Sequence, residues 1–445
     1  MVVYSFLEVL VFLLMGTTNF DIVSLIDADD YFKAHEIAIE PGALANLMMQ
    51  DPKDGKTQIS QLLAIRWLSE HADAVRANEK IRTDLDGIAQ GKQAQDGAGF
   101  AKDYALRALA KLDGKPAPAP KAAPEGSLRA DAFRWFPPQV HILAGLELRP
   151  TAKNVPVDEA ALRSLSRMMP KDFKREAYAF VDAVGNLRID RLAIGMEMDE
   201  NSDEPQRIYL HITGAGDHKR LAEFLTKSIR EAKAEEITEP KSDKITLIQN
   251  PQEPPCMALI GDTDFVLAGY SQNKSDKSQE LVKQMLELRA GKKENVTSGP
   301  LADLLKKIPD KANAAAVGEL PEAVREKMVK NKGPLTAYPS RFLISMKRDK
   351  AIAFQGQGVF KEADQAKVFA GNLENLRTQG QDALKAPPPG MPLPKEALDI
   401  LQKALEGVKI DNKGETVSGS IEISEEIVRI LLTMFETQLK SLPER

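Results

Sequence analysis

Cysteine is almost missing: Cys256 stands alone in 445 residues. It cannot form an internal disulfide, so no covalent framework holds the fold. It also has no His or Lys in its immediate sequence, as an activated thiol would need. Histidine is scarce as well. His35, His71, His141, His211 and His218 are the full set, and no two have the i, i+4 spacing of a helical zinc site. Excess charge of one sign is missing too. The net charge is −5, which gives no basic field and excludes nucleic acid as an expected partner. No apolar run is long enough for a stable membrane span. There is no Gly-x-Ser-x-Gly elbow. No residue is therefore assigned a catalytic, cofactor-binding or metal-binding role, and no cofactor is expected.

What is present is an ordinary soluble composition, 43% hydrophobic and 28% charged, at a length suited to about three domains. The chain opens on an apolar stretch with Gly16 to Thr18 as small residues behind it. Residues 1–18 are read as an export signal, although Glu8 interrupts the run and no basic residue precedes it. An extracytoplasmic location, periplasmic or secreted, is the corresponding expectation.

Residues 19–114 carry helical periodicity. One helix is expected to begin at a Thr57 cap, and others place Ile81, Leu85 and Ile88, or Tyr104, Ala105, Ala108 and Leu112, on one face. Residues 115–127, rich in Pro and Ala, read as a linker. A second Pro-rich stretch, Ala386 to Pro394, reads as a long loop.

Beyond the linker four landmarks recur in order, which points to tandem copies at 128–291 and 292–445. Phe136 to Pro150 matches Ile308 to Glu322, so that Ala144 meets Ala316 and Glu147-Leu148 meet Glu319-Leu320. Arg191 to Met198 matches Arg341 to Arg348. A strand entering Gly214-Ala215-Gly216 matches one entering Gly356-Gln357-Gly358. Ser278, as a helix cap before Leu281, Val282 and Met285, matches Ser424 before Ile427, Val428 and Leu431. Each copy reads as strand, helix, two strands, helix, strand or hairpin, helix. Met257 to Tyr270 is the hairpin, turning at Gly261 to Asp264. Val417, Gly419, Ile421 and Ile423 share one face of a half-buried strand. The expected class is α+β: an all-α N-terminal domain, then two antiparallel-sheet-plus-helix modules.

Ala64-Ile65-Arg66-Trp67-Leu68 returns as Ala105-Leu106-Arg107-Ala108-Leu109, 41 residues later. That period resembles HEAT-type helical repeats, a resemblance that implies a protein-contact surface. A small helical bundle is the alternative. The linked modules resemble uncharacterised bacterial envelope proteins built from repeated strand-then-helix units, which implies no known reaction.

Several residues could carry chemistry, each with a plainer reading. The Gly214 turn could cradle a phosphate, or only serve backbone geometry. His141 and His211 could share a sheet. Asp262 and Asp264 could bind calcium, or shape the turn. Asp199, Glu200, Asp203 and Glu204 form an acidic loop. Glu147 and Glu319 could pair for acid/base work, or be strand-end charges. The stripe Ile427, Ile430, Leu431, Met434, Phe435 and Leu439 is a core face or a membrane-surface face. The expected function is a non-enzymatic binding or scaffolding protein of the bacterial cell envelope, with protein as its partner. The alternatives are a carrier that encloses an apolar ligand between sheet and helices, and a hydrolase with a dispersed site.

Overall fold

The computed structural model describes residues 20–76, 78–92, 99–115, 128–148, 171–199, 205–229, 232–238, 244–250, 253–261, 263–270, 275–330, 335–348, 351–385, 395–424 and 426–427. The export-signal reading of 1–18 lies outside them. So do the bulk of the Pro/Ala linker, the 386–394 loop, Glu200 to Glu204, Asp262 and the C-terminal stripe beyond Ile427.

A two-residue strand, β1 (Phe20–Asp21), comes first. Seven helices follow: α1 (Ile22–Leu25), α2 (Ala28–Ala34), α3 (Pro41–Met48), α4 (Gly55–Glu70), α5 (Ala72–Arg76), α6 (Glu79–Ala89) and α7 (Phe100–Leu112). Asp54, not Thr57, caps α4. Its carboxylate accepts from the Thr57 amide at 2.7 Å while the Thr57 hydroxyl accepts from the Asp54 amide at 3.1 Å. Thr57 is thus the third helical residue of a capping box, and the expected cap was three positions late. The two 41-residue-spaced strings lie on α4 and α7, which pack together.

The remaining elements mix strand and helix. They are β2 (Ile142–Glu147), α8 (Lys171–Val184), β3 (Arg188–Met198), β4 (Pro205–Ala215), α9 (His218–Ser228), β5 (Lys233–Thr238), β6 (Lys244–Asn250), β7 (Glu253–Ile260), β8 (Asp264–Tyr270) and α10 (Ser275–Arg289). Then come α11 (Ala302–Lys306), β9 (Ala314–Glu319), α12 (Glu322–Lys330), β10 (Arg341–Arg348), β11 (Ala351–Val359), α13 (Ala363–Lys385), α14 (Lys395–Glu406), β12 (Lys409–Lys413) and β13 (Thr416–Ser424). Helix α10 begins three residues before Ser278, so Ser278 is no cap. It is fully buried inside the helix.

The strands form one antiparallel sheet in the order β12-β13-β11-β10-β9-β2-β3-β4-β8-β7-β6-β5, with β1 pairing beside β3. Outward from the central β9–β2 pair, both directions run alike for five strands, and β6 and β5 extend one side. Ala144 stands directly opposite Ala316. Glu147 opposes Arg191 as Glu319 opposes Arg341. The glycine landmark behaves differently. Gly356 opposes Ile344, and the residue that opposes the matching Ile194 is Leu210, four positions before Gly214. Gly356 and Gly358 lie within a strand rather than at a turn, so the two Gly-x-Gly motifs are not equivalent.

Side chains alternate across the sheet. One face, here the inner face, packs Leu143, Ala193, Tyr209, Val266 and Ala268 against Phe133, Trp135 and Phe136, with Leu281, Val282 and Met285 of α10 above. Two aromatic rings lie so close over the strands that a Cβ on Gly145 would meet Phe133 at 2.7 Å and one on Gly195 would meet Phe136 at 2.6 Å. The helical core of α1 to α7 is separate, yet residues before the linker do not complete it. Val181 of α8 is buried within it, and Tyr178 and Phe180 pack against it. Tyr31 donates to Asp182, and His35 Nε2 lies 2.7 Å from the other oxygen of that carboxylate.

Candidate binding groove

The opposite face of the sheet is apolar along one continuous row. Ile410, Gly419, Gly356, Ile344, Ala316, Ala144, Ile194, Leu210, Leu267 and Met257 oppose one another strand by strand. Between β4 and β8 the row carries Leu210 against Leu267. Between β11 and β13 it carries Gly356 against Gly419. Two large side chains in one half are matched by two bare backbones in the other.

Helices α13 and α14 lie over those bare positions. Phe369, Leu373 and Leu376 sit at i, i+4 and i+7 on α13, so they share one face. Leu405 comes from α14 and Val408 from the turn after it. The two helices approach closely where a Cβ on Gly380 would lie 3.1 Å from Leu405. Between helices and sheet is a groove of about 510 Å³, with Phe342, Ile344, Phe354 and Ile421 on its sheet side. Its volume falls in the range of about 300–1,000 Å³ usual for small-molecule sites. A Cβ built on Gly356 would meet one atom, at 3.9 Å, and one on Gly419 would meet one at 3.6 Å. The floor is therefore open space rather than tight packing. Ile344 is 51% exposed and Leu376 37%, so apolar surface within the groove remains in water. Arg377, which lines the groove, is engaged by Glu374 at 2.7 Å and by the Val408 carbonyl at 3.2 Å.

The sequence singled out none of these residues as a site. Val417, Gly419, Ile421 and Ile423 do share a face, as expected, and that face holds the groove. The missed signal was the pair of strand glycines with no positive φ to require them.

The expected chemical candidates do not converge. Glu147 and Glu319 end antiparallel neighbours, so they stand at opposite ends of the β2–β9 pair. Glu147 is held by Arg191 at 2.8 Å. His141 precedes β2 and accepts from the Met198 amide at 3.1 Å. His211 instead shares a row with Gly145, four residues further along β2. The Gly214 amide donates to the Thr263 carbonyl at 2.7 Å. A Cβ there would lie 2.0 Å from the Arg188 carbonyl, so close backbone approach accounts for that glycine. Cys256 is fully buried, and burial pushes its thiol up to about 11, the behaviour of a core thiol. Among the described residues no three His, Cys, Asp or Glu side chains could hold a metal ion, and no helix is long and apolar enough to cross a membrane.

Asp264 does have a partner. His211 is 2% exposed, and its Nε2 lies 2.8 Å from Asp264 Oδ1. Trp135 stacks on the imidazole at 4.1 Å, and Arg289 lies over the indole at 5.3 Å and 3.9 Å from Asp264 Oδ2. Burial lowers the His211 pKa and keeps the ring neutral, so Nε2–H is the donor. Burial alone would raise the Asp264 carboxyl. The His211 and Thr263 hydrogen bonds, with Arg289 nearby, outweigh it and hold the group below the usual carboxylate range. The Thr213 hydroxyl donates to Asp264 Oδ1 at 3.3 Å, and the Thr263 hydroxyl donates to Asp264 Oδ2 at 3.0 Å.

The sign of the pair's pH dependence follows. Below the ordinary histidine value of about 6.5 the unfolded chain binds a proton that the native ring resists, so stability falls as pH drops. Thermal melts across pH 7.5 to 5.5 are expected to show this loss, and His211→Gln to flatten it. An unchanged slope in the variant would remove His211 as its source.

No family model matches the chain, and no curated protein matches it. Among solved structures, crystal form I of TP0453 aligns with a TM-score of 0.34 and 8% identity, over 69% of this chain and 97% of that one. A likeness so remote carries no argument.

Proposed function

We propose that this chain is a binding protein that carries one apolar ligand, such as a hydrocarbon chain, between the α13–α14 pair and the sheet. The observation that carries this reading is the Gly356–Gly419 floor, which leaves a lined hollow where the matching row of the other half is filled by Leu210 and Leu267. Empty apolar space is unfavourable in itself, because its lining atoms lose dispersion contacts. A chain that keeps two glycines in strand interiors gives up stability there, which a bound ligand restores.

The tandem copying of residues 128–291 as 292–445 belongs to the same proposal. In its favour are the strand order that repeats outward from β2 and β9 and the Ala144–Ala316 pair at its centre. One copy then keeps a filled row while the other opened. An extracytoplasmic setting rests on the apolar stretch before residue 19 alone. A scaffolding role for the HEAT-like helices draws less support. Ile39 and Leu106 are the large hydrophobics exposed among the described residues of that region, and singly exposed apolar residues are normal.

The test uses the full chain with N-phenyl-1-naphthylamine, an uncharged probe that brightens in apolar surroundings. Saturable binding of one probe per chain is expected, with displacement by a long-chain alcohol. Emission that rises linearly without saturation would sink the carrier reading.

A further inference from the structure

Across the same strands, on the inner face, lies a second hollow, of about 390 Å³. It is polar. Ser345, Gln355, Ser420 and Lys409 oppose one another in one row, and Gln357, Ser418 and Asp411 in the next. Lys307, just after α11, lines the other flank, its ammonium 3.4 Å from Gln357 Oε1. Asp411 is met by Lys413 at 2.6 Å. Lys409 has no ion-pair partner among the described residues, which leaves the hollow with surplus positive charge.

From this array we infer that the hollow binds an acidic saccharide, a sugar bearing a phosphate or carboxylate. Hydroxyl and amide groups both donate and accept, so the floor matches a ring of sugar hydroxyls. The ammonium of Lys409, beside these groups, matches an anionic substituent. A merely solvated sheet face is the competing account. Such faces carry long charged side chains that stand into water. Here short serines leave a concavity instead. Ser345 is only 4% exposed, yet no described residue hydrogen-bonds its hydroxyl or those of Ser418 and Ser420. Aligned capacity that the protein leaves unspent at a concave place is what a polar ligand requires. The hollow lies across the same strands as the apolar groove and shares backbone with it, on the opposite face.

Isothermal titration calorimetry on the full chain tests the assignment with four compounds: glucose 6-phosphate, glucuronic acid, glucose and inorganic phosphate. At least one acidic sugar is expected to bind at one site, roughly tenfold or more tighter than glucose or phosphate. Preference between the two acidic sugars identifies the anionic group. Lys409→Ala and Ser418→Ala alter side chains that are not in the core, so melting temperatures should match the parent. Each is expected to weaken the preferred sugar several-fold. Three results would overturn the inference: no saturable heat from either acidic sugar, equal affinity for phosphate or glucose alone, or variants that fold and bind like the parent.

Discussion

Gly356→Leu with Gly419→Leu is expected to abolish binding of the apolar probe, by tenfold or more, without loss of stability. The two leucines would rebuild in one half the opposed pair that Leu210 and Leu267 form in the other. A Cβ at either position meets nothing closer than 3.6 Å, and neither glycine has a positive φ, so the backbone accepts a side chain. Filling the hollow removes strand glycines, each unfavourable by roughly 0.5–1 kcal/mol, and adds apolar contacts. The melting temperature should hold or rise while binding disappears. That combination separates a blocked site from an unfolded one. Binding that survives in a folded double variant would place the probe elsewhere and end the carrier reading.

The second large effect is on stability. Trp135→Ala should cost about 3–5 kcal/mol, the range for truncating a large buried aromatic. Trp135 is 2% exposed and does more than fill volume. It stacks on the ring of His211, and Arg289 lies over its indole. Removing it would admit water to a buried His211–Asp264 pair that depends on dry surroundings to keep the imidazole neutral. Urea denaturation of the variant should show the loss, and Trp135→Phe should recover part of it by restoring a stacked ring. A loss below about 1 kcal/mol would mean that the indole is not the keystone of this core.

Both effects arise from contacts between residues far apart in the chain, which explains what the sequence could and could not reveal. Periodicity placed β10 and β13 correctly, because alternation is a local property. It put the stripe of Val417, Gly419, Ile421 and Ile423 on one face for the same reason. Capping misled at Thr57 and Ser278, because hydroxyl residues also occur inside first turns and on buried helix faces. The glycine match misled more deeply. Gly214 is required by close backbone approach at the end of β4, whereas Gly356 lies mid-strand beneath open space. Letters that agree in sequence met different neighbours.

The sequence by itself determined the α+β class and the antiparallel pairing. Each of these follows from composition or from periods of two and 3.6. Tertiary structure alone decided that the strands join into one sheet, that α8 completes a core begun before the linker, and that two glycines face each other under a pair of helices. Register links residues across long loops, and no local pattern encodes which glycine will stand opposite which. The groove exists only because that pairing brought two absent side chains together.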